Sequence, residues 1–226
     1  MVVTQGPLAG LDFIERSSEG CHVAKLLGCY EQPLQPYIDT ALSTGYAKIL
    51  NIGCAEGYYA VGFAKASSSL ISLAFDTNEK AQAACRLLAE KNGVSERVQV
   101  SGLFQHEDFA KYENENVLVF CDIEGAEKGL LNPALAPALR KFDIIVESHE
   151  CLCPGITQEL ISRFEESHVI ELVQDNGSRQ IDEPPGWFMQ LSHLDQLLAT
   201  WEWRSGPTPW LVMYAKSSIN RLTFKK

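Results

Sequence analysis

Short apolar runs alternate with amphipathic stretches along most of the chain. Each apolar run has the length of a strand, and the stretches between them repeat apolar residues every three or four positions, as helices do. Seven runs predict strands: AKILNIG (47–53), SLISLAFD (69–76), RVQVSG (97–102), NVLVFCD (116–122), DIIVES (143–148), VIELVQ (169–174) and WLVMYAKS (210–217). This alternation predicts an α/β fold, a Rossmann-like, doubly wound, mostly parallel seven-stranded sheet with helices on both faces.

The helical patterns carry their own start and stop residues. In TNEKAQAACRLLAEKNG (77–93), Thr77 or Asn78 is the predicted N-cap and Asn92-Gly93 the end. Six further helical patterns are HVAKLL (22–27), LQPYIDTALSTG (34–45), GYYAVGFAKAS (57–67), AEKGLLNPALAPALRKF (126–142, interrupted at Pro133 and Pro137), ITQELISRFEESH (156–168) and QLSHLDQLLATW (190–201). We expect one domain over 1–226, with a helical cap at 1–45 and an insertion near the active face at 174–209.

Composition narrows the class of protein. The chain has 226 residues, of which 46% are hydrophobic, enough for a core, and a net charge of -10 without a basic cluster. Phosphate contacts dominate nucleic-acid binding, so we expect no nucleic-acid partner. Seven cysteines form no disulfide framework, which predicts free thiols in a reducing compartment. We see no secretory leader in the sequence. No apolar run approaches the roughly 20 residues that a membrane span needs, so we expect a cytoplasmic protein.

The segment NIGCAEGYYA (51–60) forms the first predicted strand-to-helix turn. Gly53 and Gly57 permit positive φ and close approach of a ligand, and the following helix directs free N–H groups to the same place. A Walker loop would need a Lys-Ser/Thr pair, and a dinucleotide fingerprint would need a third glycine. Asp76, which ends the second strand, can accept hydrogen bonds from both hydroxyls of a ribose. The pattern fits a nucleoside cofactor without phosphates.

Three motifs, in order and at suitable spacing, resemble class I S-adenosylmethionine-dependent methyltransferases: ILNIGCAEGYYAVGFA, LAFDTN and VLVFCDIEGAE. DIEGAE together with IIVESHE is similar to the FkbM-type subgroup, many members of which methylate oxygen on small molecules. The resemblance covers about residues 34–150. It implies transfer of a methyl group from S-adenosylmethionine to a small-molecule acceptor, with release of S-adenosylhomocysteine.

The resemblance also implies which residues bind the cofactor. Gly53, Cys54, Ala55 and Gly57 would line its methionine part, Asp76 and Thr77 its ribose, Gly102 and Leu103 its adenine, and Asp122 would face the methyl group and the acceptor. Asn51 stands where the family usually has an acid, so it accepts a hydrogen bond without supplying charge. Glu56 is the residue that we expect to supply that charge instead.

Methylation of an alcohol requires an aligned acceptor and a group that removes its proton. We predict Asp122, Glu124 and His149 as catalytic residues, because they follow the fourth and fifth strands and because a histidine titrates near neutral pH. Further candidate bases are Glu127, Glu147 and Glu150. The structural alternatives are helix capping for Glu124 and Glu127 and a loop contact for His149. Asp122, Glu124 and His149 could also hold a divalent metal, and His149, Cys151 and Cys153 could bind zinc, but we predict no metal site.

Five aromatic residues near the C-terminus predict packing in the core, with Trp187 on a lid over an apolar acceptor as the alternative. They are Trp187, Phe188, Trp201, Trp203 and Trp210. For the whole protein, two alternatives to a methyltransferase stay open. One is a non-catalytic binding or scaffold protein that keeps the fold, and the other is a nicotinamide oxidoreductase. The acceptor and the oligomeric state are not predicted.

Overall fold

The computed structural model describes residues 1–18 and 20–218. It contains one seven-stranded sheet in the order β3-β2-β1-β4-β5-β7-β6, in which β7 runs antiparallel to its two neighbours and the other pairings are parallel. The strands are β1 Lys48–Ile52, β2 Ile71–Phe75, β3 Val98–Ser101, β4 Val117–Cys121, β5 Asp143–Glu147, β6 His168–Val173 and β7 Trp210–Ala215. The predicted α/β fold with a mostly parallel seven-stranded sheet is confirmed.

Helices cover both faces of this sheet. They are α1 His22–Leu27, α2 Gln35–Thr44, α3 Tyr58–Ala66, α4 Glu79–Lys91, α5 Glu127–Leu130, α6 Ile156–Phe164, α7 Gly186–Met189 and α8 His193–Thr200. Asn78 is the N-cap of α4, since its side chain accepts a hydrogen bond from the backbone N–H of Lys80.

The strand period of two divides the core between the faces of the sheet. On β1, Ile49 belongs to a hydrophobic cluster with α3 and α4, whereas its neighbour Leu50 belongs to a cluster with α6 on the other face. Every residue of β4 and β5 is buried. Because both faces are covered, these central strands read as continuous apolar runs.

The two helices expected in the N-terminal segment, over 22–27 and 34–45, are present as α1 and α2. The described residues before His22, where no helix is predicted, form turns and one isolated bridge, and Val3, Leu8 and Phe13 are buried in the same cluster as Ile49.

The structure differs from the expected helices in the segment 126–142. The helix predicted over 126–142 is reduced to the short α5 and a 3-10 turn at Pro137–Lys141. Pro133 and Pro137 lack the N–H that a continuous helix would use.

Two further sequence expectations concern the whole chain. None of the helices in the described residues has the length and apolar character needed to cross a membrane. All seven cysteines are free thiols. The predicted domain runs to residue 226, and its last eight residues, 219–226, lie outside the described part of the chain.

Candidate functional site

A cleft of about 590 Å³ opens at the carboxyl ends of β1 to β4. We call it the large cleft. The strand order reverses between β1 and β4, and ligands of doubly wound sheets bind at such a reversal. Of the residues predicted to bind the cofactor, six line it: Gly53, Asp76, Thr77, Gly102, Leu103 and Asp122. The volume lies within the range of about 300–1,000 Å³ found for small-molecule sites.

Asp76 lies on the wall of the large cleft and is held by the backbone. Its Oδ2 accepts a hydrogen bond from the N–H of Ala55 at 2.9 Å, and its Oδ1 accepts one from the N–H of Asn78 at 2.8 Å. Each carboxylate oxygen can accept a further bond. The carboxylate is therefore fixed in place and retains acceptor capacity toward the cleft.

Apolar side chains form another part of the cleft wall. Phe75 and Phe104 pack edge to face with centroids 4.7 Å apart, and Ile52, Leu103 and Leu130 line the same space. Leu103 is exposed over 67% of its surface. This wall suits a flat, weakly polar group such as a purine ring.

The two glycines of the first turn are required by packing inside the protein. Gly53 has φ 81°, and a Cβ there would lie 1.6 Å from the carbonyl oxygen of Asp122. Gly57 has φ 90°, and its Cβ would lie 2.6 Å from Sγ of Cys85. The turn therefore brings β1, β4 and α4 together. Of the two glycines, Gly53 lines the large cleft and Gly57 does not.

Five of the predicted cofactor residues do not line the large cleft: Asn51, Cys54, Ala55, Glu56 and Gly57. Glu56 is fully buried, and its carboxylate binds Nζ of Lys25 at 2.6 Å and the N–H of Ser18 at 2.9 Å. Burial raises the pKa of Glu56, but the charge of Lys25 and these hydrogen bonds outweigh that effect and lower the pKa. Its negative charge is thus balanced within the protein.

Asn51 is buried on β1, and its Oδ1 has no hydrogen-bond partner within residues 1–18 and 20–218. A buried amide oxygen without a partner is rare, because its desolvation is not compensated. The atom is therefore an acceptor that a ligand could satisfy.

A second cavity of about 170 Å³ adjoins the large cleft, and Asp122 and Glu124 line both. We call it the acidic pocket. Its ionisable side chains come from four regions of the chain: Glu31 before α2, Asp122 and Glu124 after β4, Glu147 and His149 at β5, and Glu202 and Arg204 before β7. Tyr30 and Trp203 supply aromatic rings to its wall.

His149 is buried in the wall of the acidic pocket and is surrounded by carboxylates. Its Nδ1 lies 2.8 Å from Oε1 of Glu127, while its Nε2 faces oxygens of Glu124 at 3.3 Å, Asp122 at 3.5 Å and Glu147 at 3.8 Å. Burial lowers the pKa of His149, but the hydrogen bond to Glu127 and the charge of Glu147 outweigh it, so the pKa is raised. The three predicted catalytic residues therefore lie together.

Arg204 joins the acidic side chains on the other side of this pocket. It contacts Glu147, Glu202 at 3.1 Å and Glu31 at 3.2 Å, and Glu31 also accepts a hydrogen bond from the hydroxyl of Tyr59 at 2.5 Å. Burial and the charge of Glu147 raise the pKa of Glu31 to about 8. Arg179, bound to Glu202 and Asp175, extends this network behind the pocket.

Two sets of three side chains have ligand atoms within 4.8 Å of one another, close enough to share a metal ion. They are Asp122, Glu127 and His149, and Glu31, Asp122 and Glu147. In the first set, Glu127 is already hydrogen-bonded to His149, and in the second Arg204 balances two of the three carboxylates.

Some candidates have a different role from the expected one. Glu150 caps α6, because its carboxylate accepts hydrogen bonds from the N–H groups of Gly155 and Thr157. The prediction of core packing is wrong for three of the five aromatic residues. Trp187, Trp201 and Trp203 are exposed over half or more of their surface, whereas Phe188 and Trp210 are buried.

The sequence did not single out Glu31, Glu202, Arg204 or Tyr30 as site residues. Glu202 and Arg204 lie in the segment WEWR (201–204), which contains no motif that predicts a site. Glu31 is 116 positions before Glu147 in the sequence. Only the general expectation that 174–209 lies near the active face points to part of this group, and the structure brings that segment to the acidic pocket.

Solved structures share this fold, and several of them are named as O-methyltransferases. The O-methyltransferase from Bacillus cereus in complex with SAH (S-adenosylhomocysteine) is 18% identical, with 92% of this chain and 84% of that chain covered and a TM-score of 0.51. Cofactor-bound Rv0187 from MTB is 14% identical, with 91% and 84% covered and a TM-score of 0.55. The O-methyltransferase TomG from Streptomyces achromogenes, in complex with SAM (S-adenosylmethionine), is 14% identical, with 85% and 78% covered and a TM-score of 0.51.

At these identities the likeness shows the fold, a Rossmann-like methyltransferase fold. No protein-family model matches the sequence, and no curated protein is significantly similar to it.

Proposed function

We propose that the chain is an S-adenosylmethionine-dependent methyltransferase that methylates oxygen on a small molecule. One observation carries the proposal: the large cleft, with Asp76 held on its wall, shares Asp122 and Glu124 with a second cavity that His149 lines. A cofactor site and an acceptor site that share a wall are what a direct group transfer requires.

The residues present fit the cofactor. Asp76 offers fixed acceptors for two ribose hydroxyls, and Thr77 lies beside it. Gly102 and Leu103, with the apolar wall, suit adenine, and Gly53 and Asp122 lie between that end and the acidic pocket. Five predicted cofactor residues do not line the large cleft and would act through the shape of the turn: Asn51, Cys54, Ala55, Glu56 and Gly57. Contact between the ammonium of the methionine part and the unpartnered Oδ1 of Asn51 would require the turn to move, because Asn51 is 2% exposed.

S-adenosylmethionine, when bound, supplies a methyl group on a sulfonium sulfur, and its product S-adenosylhomocysteine is a good leaving group. The remaining task of the protein is to align the acceptor and to take its proton. Nε2 of His149 would accept that proton, because Nδ1 is held by Glu127 and Nε2 faces the acidic pocket. Asp122 and Glu124 would orient the acceptor and stabilise the imidazolium.

The finer assignments are part of the same proposal. They are membership of the FkbM-like subgroup, a single domain over 1–226, a cytoplasmic location and a small-molecule acceptor without a nucleic-acid partner. A hydrophobic cluster that joins Val3 of the N-terminal segment to Val212 of β7 supports a single domain.

The test is isothermal titration of the purified protein with S-adenosylmethionine and S-adenosylhomocysteine. Micromolar binding of both would support the proposal. Binding of neither would contradict it and would favour a non-catalytic protein that retains the fold. A specific observation favours this second candidate: Asn51 is uncharged, and the nearby charge of Glu56 is already paired with Lys25.

A further inference from the structure

The acidic pocket carries more negative than positive charge. Its carboxyl groups are Glu31, Asp122, Glu124, Glu147 and Glu202, and its basic groups are Arg204 and His149. Even with Glu31 protonated and His149 charged, the negative charges outnumber the positive ones. Asp175 and Arg179, behind the pocket, form an ion pair and leave this balance unchanged. The sulfonium of the proposed cofactor would offset only part of the excess.

The guanidinium of Arg204 is not available to a ligand. Arg204 is bound to Glu31, Glu147, Glu202 and the hydroxyl of Thr208. An anionic acceptor would therefore meet carboxylates without a free guanidinium to pair with. The geometry disfavours acceptors that carry a carboxylate or phosphate.

Two buried side chains present polar atoms to the cavity. Glu147 and His149 are each about 4% exposed, and both line the acidic pocket. Nε2 of His149 contacts Glu124 at 3.3 Å and Asp122 at 3.5 Å. Within the described residues, no hydrogen bond reaches Oε2 of Glu147, which lies 3.8 Å from Nε2 of His149. Buried polar atoms are almost always hydrogen-bonded, so this carboxylate oxygen points to a hydrogen-bond donor on a ligand in the cavity.

Two aromatic residues form part of the remaining wall, beside Cys21, Cys151, Ser205 and Thr208. Tyr30 and Trp203 line the cavity, and Trp203 stacks on Trp201 with ring centroids 4.8 Å apart. Aromatic faces combined with carboxylates attract alkylammonium groups through cation–π and ionic contacts. Small hydrated metal ions gain less from such a wall, and Arg204 already balances Glu31 and Glu147.

From this arrangement we infer that the acidic pocket binds a protonated amine of the methyl acceptor, so that the acceptor is an amino alcohol. The inference rests on the proposed function for the identity of the reacting hydroxyl. The ammonium would lie among Glu124, Glu147 and the ring of Trp203, which leaves Nε2 of His149 for the hydroxyl. The charge of the acceptor, rather than its apolar surface, would then determine which compounds enter.

The experiment compares three probes of equal length and different charge: 3-aminopropan-1-ol, propane-1,3-diol and 3-hydroxypropanoate. Their binding is measured by ligand-observed NMR on the full chain, with and without S-adenosylhomocysteine. We expect the amino alcohol to bind about tenfold more tightly than the diol, and the hydroxy acid most weakly. Equal affinities, or tighter binding of the diol or the hydroxy acid, would overturn the inference.

Variants then test where the amine binds. Glu124 is 67% exposed, so Glu124→Gln should fold, and it should reduce the preference for the amino alcohol over the diol several-fold. Trp203→Leu should weaken the amino alcohol and leave the diol unchanged. Trp187→Leu is the matched control, an exposed tryptophan of the same insertion outside the pocket, and should change neither. An unchanged preference in both Glu124→Gln and Trp203→Leu would overturn the assignment.

A metal ion is the competing occupant, and the same assay separates it. The series is repeated with EDTA and with magnesium or zinc chloride. If the ion displaces the amino alcohol and the diol then binds more tightly, the pocket is a metal site and the inference fails. If the preference persists under EDTA and with added ions, the inference stands.

Failure of the proposed function is distinguishable from failure of this inference. A protein that does not bind S-adenosylhomocysteine but prefers the amino alcohol would contradict the cofactor assignment alone. A protein that binds S-adenosylhomocysteine but prefers the neutral diol would contradict the amine site alone.

Discussion

Oε1 of Glu127 lies 2.8 Å from Nδ1 of His149, and both side chains are buried. The same oxygen also accepts the backbone N–H of Ile123, so the carboxylate is fixed relative to the end of β4. A carboxylate in this position keeps the proton on Nδ1 and leaves Nε2 as the basic atom. Nε2 faces the acidic pocket, where an acceptor hydroxyl would bind.

The first prediction concerns the dependence of methyl transfer on pH. The pKa of His149 is raised above 6.5, so the fraction of neutral imidazole, and with it the rate, should rise with pH through a midpoint above 6.5. Glu127→Gln removes a carboxylate that raises this pKa, so the midpoint should move to lower pH while the plateau rate falls.

The measurement is kcat/KM against pH, with Glu90→Gln, an exposed carboxylate of α4, as the control. A midpoint that does not move in Glu127→Gln, whether or not the plateau falls, would mean that His149 is not the titrating group.

The second prediction concerns His149 itself. His149→Gln keeps a polar side chain but removes the base, so turnover should fall by about 10²–10⁴-fold. Affinity for S-adenosylhomocysteine should stay within experimental error, because His149 lines the acidic pocket and not the large cleft. Calorimetry and a turnover assay separate the two effects. Full activity would remove His149 as the base.

The third prediction concerns Asp76. Its carboxylate is the acidic group that two backbone N–H groups hold on the wall of the large cleft. Asp76→Asn retains one acceptor oxygen but loses the charge, so we expect S-adenosylhomocysteine to bind roughly tenfold to a hundredfold more weakly.

Calorimetry measures this change, and a melting curve checks that the variant is folded. Glu79→Gln, the first residue of α4, tests whether any nearby carboxylate has the same effect. Unchanged affinity in Asp76→Asn would contradict the assignment of Asp76 to the ribose.

The fourth prediction concerns stability. Lys25→Met would leave the carboxylate of Glu56 buried without its ammonium partner, which costs about 3–5 kcal/mol of unfolding free energy. The double variant Lys25→Met with Glu56→Gln should recover part of that loss, since no uncompensated charge is then buried. Urea unfolding measures both variants. A double variant that is no more stable than the single one would contradict the argument that the loss comes from an uncompensated buried charge.

The fifth prediction uses two glycines with similar backbone angles. Gly53→Ala places a methyl group on the carbonyl of Asp122, whereas Gly93→Ala meets no atom within 4 Å at φ 66°. Gly93→Ala should cost about 1–2 kcal/mol, the strain of the left-handed conformation. Gly53→Ala should cost considerably more or prevent folding. Urea unfolding of both variants is the test, and equal losses would contradict the packing argument.

The sequence predicted the sheet because local pattern and global fold agree in it. The continuous apolar runs of β4 and β5 reflect burial on both faces, and the Asn78 cap reflects a local hydrogen bond. The segment 126–142 was predicted as helical with interruptions at Pro133 and Pro137, and the interruptions are present, but less of it is helical than its apolar spacing suggested. Pattern and backbone chemistry conflicted there.

The site was predictable where residues follow strand ends. Asp76, Asp122 and His149 lie at the carboxyl ends of parallel strands, which necessarily meet at one edge of the sheet. Glu31, Glu202 and Arg204 reach the acidic pocket through loops, and their approach depends on long-range packing that no local pattern encodes. The exposure of Trp203 could not be inferred either, because a tryptophan in a loop satisfies the same sequence pattern as one in a core.

The contact between Gly53 and the carbonyl of Asp122 bears on how related chains should be compared. A glycine is required at position 53 because the chain after β4 lies against it, whether or not a cofactor binds. A descendant that lost catalysis would still retain it, because any side chain there would disrupt the sheet. Asp76 is constrained by hydrogen bonds from two backbone N–H groups, which is a weaker restriction than a steric clash because other side chains can accept such bonds. Among relatives of this chain, the acid at the end of β2 should therefore distinguish active from inactive proteins, and the glycine should not.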